Sequence, residues 1–309
     1  MEQSFIAALR RTSRQLVREW NMLTDEVQQV GISPSQCHAL IELEQETGLS
    51  SSQLAELLVL DKSTTSRTIQ ALEKRALIDH NVPANDKRLK HYALSPDGRE
   101  LLDEVHELAN HQVEQALELM TPAERQSVAE GLNIYARALQ QVRLQAAYQL
   151  RPIQAEDNEQ VARLIRTVMT EFGAVGAGYS ITDPEVDHMS AAYQQPGAAF
   201  FVIEKDGQIM GCGGIARLEG GTAEVCELRK MYFYPELRGL GLGKRLLKQC
   251  LDAARELGYR SCYLETLERM WQANKLYEKM GFRPLSCQMG ETGHSKCDRF
   301  LVLALDQYQ

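Results

Sequence analysis

The segment RGLGLGKRLL, from Arg238 to Leu247, is the stretch that decides the fold of the C-terminal half. Its three glycines alternate with bulkier residues, and the basic, leucine-rich run that follows is typical of a helix. A glycine-rich turn that opens a helix presents backbone N–H groups at the positive end of the helix dipole, which suits a bound phosphate. The spacing of the glycines indicates which phosphate-containing ligands are possible.

Two common nucleotide-binding loops are excluded by that spacing. The dinucleotide fingerprint G-x-G-x-x-G needs a third glycine where Lys244 or Leu246 stands. The nucleoside-triphosphate loop needs glycine at the position of Arg238 and serine or threonine at that of Arg245. A pyrophosphate from another ligand, such as an acyl-CoA, remains compatible with the loop, and so does a turn that only caps a helix.

Length and composition indicate a two-domain globular protein. The chain has 309 residues, of which 44% are hydrophobic and 25% are charged. No apolar stretch is long enough to span a bilayer and no signal peptide is evident, so we expect a cytoplasmic protein without a membrane partner. The seven cysteines form no C-x-x-C pair, which favours reduced thiols. His294 and Cys297 lack further ligands at suitable spacing, so no metal site is predicted.

The charge distribution leaves room for nucleic-acid binding despite a net charge of −8. Seven basic and three acidic residues lie between Lys62 and Lys90, a local excess of +4. Phosphates respond to nearby charges, while salt screens more distant ones, so a basic patch on an acidic protein is compatible with double-stranded DNA.

The N-terminal half contains clear helix starts. Serine or threonine followed by proline or by Gln or Glu marks four of them, at Ser33, Ser50, Ser95 and Thr121. The pattern predicts two short helices between residues 50 and 78. In the second of these helices Ile69 and Leu72 face the core. Its outward side chains are those of Ser63, Thr64, Ser66, Arg67 and Gln70.

A hairpin should follow, in IDHNVPANDKRLKHYAL, with basic residues around its turn at residues 84–87. The order of helix, helix and basic hairpin, carried by DKSTTSRTIQALEKRALI and DKRLKHYALSPDGREL, resembles the MarR family of winged helix-turn-helix regulators over residues 5–145. Alanine at 76 and threonine at 65 depart from the common family pattern, but neither lies on the outward face.

The MarR resemblance implies binding to double-stranded DNA as a homodimer. The outward residues of the second helix would contact DNA together with an Asp-x-Arg element in the wing, and Lys90 would add a phosphate contact. These wing residues are Asp86, Arg88 and Lys90. The leading helix, from Phe5 to Val30, and a long helix from Thr121 towards Tyr148 would form the dimer interface.

From Gln149 onwards, strands alternate with helices, which predicts an α/β or α+β fold around a central mixed sheet. Two motifs carry a second resemblance. Arg238-x-x-Gly241-x-Gly243 follows a strand and opens a helix, and NKLYEKMGF begins at Asn274. Together they resemble the GNAT superfamily of acyl-CoA-dependent N-acyltransferases over residues 149–306. The resemblance implies that the phosphate belongs to acetyl-CoA.

The same resemblance implies roles for individual residues. Tyr277 would protonate the departing thiolate, and Glu227 would act as general base towards the amine. Alternatives remain for each of them: Tyr277 as a core residue, Glu227 as a surface residue or one that acts through water, and Arg238 as a local cap. Implied contacts to the cofactor are Met231, Tyr232, Phe233, Arg238, Gly239, Leu240, Gly241, Leu242, Gly243, Lys244 and Asn274.

The identity of the amine acceptor does not follow from these motifs. FGAVGAGYSITDPEVDHM, between the first helix and the second strand, occupies the substrate-facing region in the resembling superfamily. Its neighbourhood offers Glu171, Tyr179, Asp187 and His188, and its acidic side chains favour a cationic amine. Small molecules, peptides and protein lysines all remain open as acceptors.

The sequence thus predicts a MarR-like DNA-binding and dimerisation domain at 1–147 and a GNAT-like acyltransferase domain at 148–309. The expected function is a transcriptional regulator that is also an acetyl-CoA-dependent N-acetyltransferase. One alternative is a regulator whose C-terminal domain only senses a metabolite or acyl-CoA. Another is an acetyltransferase whose N-terminal domain serves only to dimerise it or to deliver it to chromosomal proteins.

Overall fold

The computed structural model describes residues 2–20, 22, 30–82 and 89–306. Its contacts divide the chain into two compact units, Met1–Ala129 and Glu130–Gln309. This division falls inside a helix, upstream of the domain boundary that the sequence predicts at residue 147. None of the described helices is long and apolar enough to cross a membrane.

The first unit has the predicted order of helices followed by a small antiparallel sheet. Its strands are arranged β1-β3-β2. The described helices and strands are α1 (Glu2–Glu19), α2 (Pro34–Gln45), β1 (Leu49–Ser50), α3 (Ser51–Leu58), α4 (Lys62–Lys74), β2 (Ile78–Asn81), β3 (His91–Leu94), α5 (Pro96–Glu118) and α6 (Pro122–Gln145), of which α6 continues into the second unit. Helix α1 ends well before Val30, and residues 23–29 of the predicted leading helix lie outside the described residues.

Local hydrogen bonds set the helix starts as the sequence predicts. The Ser33 hydroxyl accepts from the Gln36 backbone N–H at 3.3 Å, and the Gln36 side chain accepts from the Ser33 N–H at 2.9 Å. Ser50 and Gln53 repeat this reciprocal pair at α3. Because these contacts span only three residues, they require no tertiary information.

The core of the first unit lies between α2, α3, α4 and α5. Ile69 and Leu72 of α4 are buried in it, as predicted, together with Leu40, Leu54 and Leu102. The opposite face of α4 is thereby turned away from the core.

The second unit is built on a seven-stranded mixed sheet of order β4-β5-β6-β7-β8-β10-β9. The described elements, short 3₁₀ turns apart, are β4 (Gln149–Pro152), α7 (Asn158–Glu171), α8 (Met189–Ala192), β5 (Ala199–Lys205), β6 (Gln208–Arg217), β7 (Val225–Phe233), α9 (Leu242–Glu256), β8 (Ser261–Thr266), α10 (Trp271–Lys279), β9 (Arg283–Leu285) and β10 (Arg299–Ala304). Among the described strands of this sheet, only β7 and β8 pair in parallel. The predicted fold class is confirmed for both halves.

Helices cover both faces of this sheet. Along β5, Phe201 and Ile203 pack in the cluster that contains α9, whereas Phe200 and Val202 pack in the cluster that contains α7. This alternation follows the period of two in a strand. The loop that precedes α9 is therefore held at the end of β7, next to the centre of the sheet.

Candidate functional site

Strands β7 and β8 separate after a short paired segment. Their parallel pairing covers only Val225 to Glu227 of β7, although β7 continues to Phe233 and β8 to Thr266. Beyond Glu227, the β7 backbone on this side has no neighbouring strand among the described residues. An unpaired strand edge of this kind can accept an extended ligand as an additional strand.

A β-bulge lies in the separated part of β7. Two residues, Lys230 and Met231, stand opposite the single residue Gly213 of β6. Lys230 has a φ of 55°, in the left-handed region that non-glycine residues rarely adopt. Bulges of this kind redirect side chains beside functional sites.

A cavity of about 430 Å³ opens at the end of β7, within the usual size range for small-molecule sites. Its walls come from the end of β7, the glycine loop, the start of α9 and helix α10. Residues of the predicted set that line it are Met231, Tyr232, Phe233, Arg238, Gly239, Gly241, Gly243, Lys244 and Tyr277. We call this space the donor cavity.

The glycine loop presents backbone N–H groups to the donor cavity. Gly239 and Gly241 have φ values of 83° and 76°, a conformation that glycine adopts without strain. Gly241 is the N-cap of α9, and none of the described side chains caps that helix start. The first N–H groups of α9 therefore remain available to an anion.

Arg238 is already engaged at the wall of the donor cavity. Its guanidinium forms two hydrogen bonds with the Glu171 carboxylate, at 2.5 and 2.6 Å, and donates to the Phe233 carbonyl at 3.2 Å. The ion pair lowers the pKa of Glu171 and raises that of Arg238. A contact from Arg238 to phosphate stays a prediction.

Three of the residues predicted to contact the cofactor, Leu240, Leu242 and Asn274, do not line the donor cavity. Leu242 is fully buried in the core, and Leu240 packs against the same cluster. The Asn274 amide donates to the carbonyls of Leu267 and Glu268, at 3.0 and 3.3 Å. In this structure the Asn274 side chain therefore fixes the turn after β8, and its predicted cofactor contact remains untested.

A second, smaller cavity of about 70 Å³ adjoins the donor cavity. We call it the acceptor cavity. Both cavities share the same five lining residues, Met231, Tyr232, Met270, Ala273 and Tyr277. Burial raises the pKa of the Tyr277 hydroxyl, so this group stays protonated at neutral pH.

Glu227 lies in the acceptor cavity beside a cation. Its side chain is only 3% exposed and accepts a 2.6 Å hydrogen bond from Nε of Arg229. Burial raises the pKa of Glu227, while the Arg229 charge opposes this shift. A carboxylate with a raised pKa is suited to accept a proton near neutral pH.

Glu265, which the sequence reasoning did not single out, also lines the acceptor cavity. One of its oxygens accepts from the hydroxyls of Tyr263 and Thr292, each at 2.8 Å. The other oxygen, Oε2, is buried and has no hydrogen-bond partner among the described residues, and Nδ1 of His294 lies 4.0 Å away. A charged residue inside the otherwise uncharged strand β8 was the available signal for it.

Lys230 is the third buried charge at this site, and it too was missed. Its side chain is 1% exposed and pairs with Asp183 and, at 3.3 Å, with Glu185. Nε2 of His294 lies 3.0 Å from the same Asp183 carboxylate. Only the bulge in β7, which depends on tertiary pairing, directs this lysine inward.

Of the four polar residues that the sequence suggested for acceptor recognition, one lines the acceptor cavity and three do not. Tyr179 lines the acceptor cavity. Asp187 instead forms a surface ion pair with Arg166, and Glu171 belongs to the donor side through Arg238. His188 is exposed.

Helix α4 carries the predicted DNA-contacting face. Ser63, Ser66, Arg67 and Gln70 are exposed, and Thr64 is half-buried. The Arg67 guanidinium donates to the Thr64 hydroxyl at 3.2 Å, within the helix itself. These side chains form one polar surface at the start of the helix.

Of the three predicted wing residues, the structure describes one. Lys90 is described, and its ammonium donates to Glu73 at 3.1 Å. Asp86 and Arg88 lie outside the described residues.

Comparison with known proteins identifies the C-terminal half. Residues 164–282 match the acetyltransferase (GNAT) family. The uncharacterized N-acetyltransferase YjgM of Escherichia coli is 43% identical over 150 residues, which cover 48% of this chain and 90% of that protein. The chain belongs to the GNAT acetyltransferase family. A GNAT-family acetyltransferase structure from Staphylococcus aureus Mu50 is similar over 52% of this chain and 99% of its own, at 20% identity and a TM-score of 0.47.

This GNAT acetyltransferase also carries a regulator domain. Residues 30–89 match the MarR family. The structure of Streptococcus pneumoniae FabT in complex with DNA is similar over 46% of this chain and 99% of its own, at 19% identity and a TM-score of 0.38. The two family matches confirm the predicted combination of a MarR-type domain with a GNAT domain.

Proposed function

We propose that this protein transfers the acetyl group of acetyl-CoA to a primary amine and, through its MarR-type domain, binds double-stranded DNA as a homodimer. The observation that supports the transferase most directly is the junction of the donor and acceptor cavities at Tyr277. A thioester held on one side of this junction and an amine on the other would meet beside a protonated phenol.

Two features of the donor cavity support acetyl-CoA as its ligand. Its pantetheine arm can add to the free edge of β7 beyond Glu227, where the backbone of Met231 to Phe233 provides hydrogen-bonding groups. Its diphosphate can lie against the N–H groups at the start of α9. Gly239 and Gly241 leave room for close approach, because neither carries a Cβ.

The reaction requires three proton transfers. Glu227 takes one proton from the ammonium group of the acceptor, directly or through water, and the neutral amine nitrogen then attacks the thioester carbonyl carbon. A C–N bond forms and the C–S bond breaks, with the electron pair leaving on sulfur. Tyr277 gives its proton to that thiolate and regains one from the new amide nitrogen, which yields the neutral amide and free CoA. The backbone edge of β7 beside the acetyl group can donate to the carbonyl oxygen as negative charge develops there.

The charges of the acceptor cavity favour a cationic acceptor. Arg229 is paired with Glu227, and Lys230 with Asp183 and Glu185, so both cations are neutralised. Glu265 receives hydrogen bonds only from neutral hydroxyls and keeps one oxygen open. A buried carboxylate with one unpaired oxygen is stabilised most by a hydrogen bond from an ammonium group. The small volume of the cavity favours an unbranched primary amine.

Two features support the regulator part of the proposal. The polar face of α4 offers hydroxyl, amide and guanidinium groups of the kind that contact phosphates and base edges. An apolar stripe on α6 supports dimerisation, because its members recur at alternating spacings of four and three residues. The stripe consists of Val128, Leu132, Tyr135, Leu139 and Val142, and all but the half-buried Tyr135 are exposed.

The transferase proposal is tested by following acetyl-CoA consumption with the full chain and a panel of matched acceptors. The panel pairs primary amines with alcohols and carboxylates of the same carbon skeleton. We expect turnover with cationic primary amines alone. Products should be separated by chromatography, because the exposed thiol of Cys287 would react with thiol reagents. Acetylation of the alcohols at equal rates would contradict the proposed acceptor chemistry.

The regulator proposal is tested by binding of the full chain to DNA from its own upstream region at several salt concentrations. Affinity should fall steeply with salt, since phosphate neutralisation releases counterions. A DNA affinity that does not change with salt concentration would contradict the regulator proposal.

A further inference from the structure

The last turn of helix α6 touches the glycine loop of the donor cavity. The Gln145 side chain donates from Nε2 to the Leu240 carbonyl at 2.8 Å, in a half-buried contact. Gln141, one turn earlier, lines the donor cavity itself. A Cβ built on Gly241 would lie 2.9 Å from Nε2 of Gln145 and 3.1 Å from Nε2 of Gln141. Both carboxamides therefore stand directly over the loop that opens α9.

These two glutamines use a different face of α6 from the apolar stripe. Residues four apart share a face of a helix, so Gln141 and Gln145 project together. At about 100° per residue, they lie on the order of 120° around the helix from the stripe centred near Tyr135. The contact with the loop therefore leaves the stripe free for a partner.

Neither family match includes these residues. The MarR match ends at residue 89 and the GNAT match begins at residue 164, whereas Gln141 and Gln145 lie between them. They lie at the end of α6, which leads into β4 after three residues.

We propose that Gln141 binds the diphosphate of the acyl-CoA donor and that Gln145 positions the loop for it. The inference rests on the proposed donor. A diphosphate at the start of α9 would meet the carboxamide N–H of Gln141 from the side opposite the loop, as a charge-assisted hydrogen bond. Gln145 binds the Leu240 carbonyl and so holds the following N–H groups of the loop in the orientation that the anion needs.

The experiment compares Gln141→Ala and Gln145→Ala with the control Gln140→Ala, in the full chain. Gln140 is the neighbouring exposed glutamine on the same helix. Calorimetric titration with acetyl-CoA should show about a tenfold rise in Kd for Gln141→Ala, the expected loss for one hydrogen bond to a charged group. Gln145→Ala should raise Kd by roughly threefold, because the loop keeps its own backbone donors, and the control should not change it.

A second probe, pantetheine, locates the contact, because it has the arm of the donor but no diphosphate. Its affinity, followed by NMR titration, should be the same in all four proteins. An unchanged Kd for acetyl-CoA in Gln141→Ala would overturn the inference. So would equal losses for acetyl-CoA and pantetheine, since these would indicate a general distortion of the cavity.

Failure of the proposed function gives a different result from failure of this inference. A wild-type protein that binds acetyl-CoA but acetylates no amine would contradict the transferase proposal alone. The comparison of binding constants between variants would still decide the role of the glutamines.

Discussion

Helix α4 and strand β7 each place basic and acidic residues side by side, but in opposite environments. On the outward face of α4, Ser63, Ser66, Arg67 and Gln70 are exposed. The hydrogen bonds that the structure describes for Arg67 stay within its own helix. On β7 the charges are buried, and both Arg229 and Lys230 are paired with carboxylates. An exposed cation remains available to a long polyanion, whereas a buried, neutralised one fixes geometry for chemistry. The following experiments test that contrast.

The largest effect is expected from Tyr277→Phe, at the junction of the two cavities. The substitution removes one hydroxyl and keeps the ring that packs against Phe282. Turnover should fall by about 10²-fold, the lower end for general acid catalysis, because a thiolate is already a stable leaving group. Acetyl-CoA affinity should stay the same, which calorimetry would check. Undiminished turnover in this variant would remove Tyr277 from the mechanism.

Glu227→Gln should change the pH dependence of the reaction as well as its rate. Glu227 must be deprotonated to act as base, and burial raises its pKa. In the wild type, kcat/KM should therefore rise with pH through a limb that lies above the range of an ordinary glutamate. The variant should lose this limb and be roughly 10²-fold slower near neutral pH. Retention of the same limb would assign it to another group.

Lys230→Met should lower stability without weakening DNA binding. It leaves Asp183 and Glu185 without their shared cation in a partly buried site. We expect a loss of roughly 2–3 kcal/mol in the free energy of unfolding. This lies below the usual range for a broken buried pair, because Asp183 keeps His294. Chemical denaturation measures the loss, and DNA binding measured below the unfolding transition is the control.

Arg67→Ala should show the reverse pattern. The side chain is exposed, so stability should change by no more than about 0.5 kcal/mol. Affinity for the cognate DNA should fall by about tenfold, within the range for a lost base or phosphate contact. Acetyl-CoA turnover in the absence of DNA should match the wild type. Loss of turnover in this variant would show that the exposed surface of α4 and the transferase site at β7 do not act independently.

The smallest effect is expected at Gly131, compared with the buried Gly98. A Cβ at Gly131, in the middle of α6, would meet no atom of the described residues within 4 Å, so Gly131→Ala should stabilise the protein by roughly 0.5–1 kcal/mol. A Cβ at Gly98 in α5 would lie 1.9 Å from the Leu77 carbonyl oxygen. Gly98→Ala should therefore destabilise the protein, by at least about 1 kcal/mol. Thermal unfolding of both variants would test the pair, and equal shifts would contradict it.

Sequence reasoning succeeded where the determining contacts are local. The capping pairs at Ser33 and Ser50 depend on a few neighbouring residues, and the sequence predicted both. The exposed face of α4 followed from helical periodicity alone.

The buried charges could not be predicted in the same way. Lys230 turns inward because β7 bulges opposite β6, and this pairing joins residues far apart in sequence. Asn274 matched a motif, yet its amide is turned towards the carbonyls of Leu267 and Glu268. A motif specifies which side chain is present, whereas its direction depends on the surrounding packing.

The position of α6 has a consequence for how this protein can be dissected. No linker of irregular structure separates the two family regions at this point, since one helix runs from Pro122 to Gln145 and β4 begins at Gln149. A truncation designed at the end of that helix would discard both glutamines along with the regulator. The resulting catalytic fragment would be a poorer enzyme than its parent for a reason unrelated to dimerisation. Fragments that begin before Pro122 would retain the complete donor site, so they are the proper reference for any kinetic comparison of the isolated half.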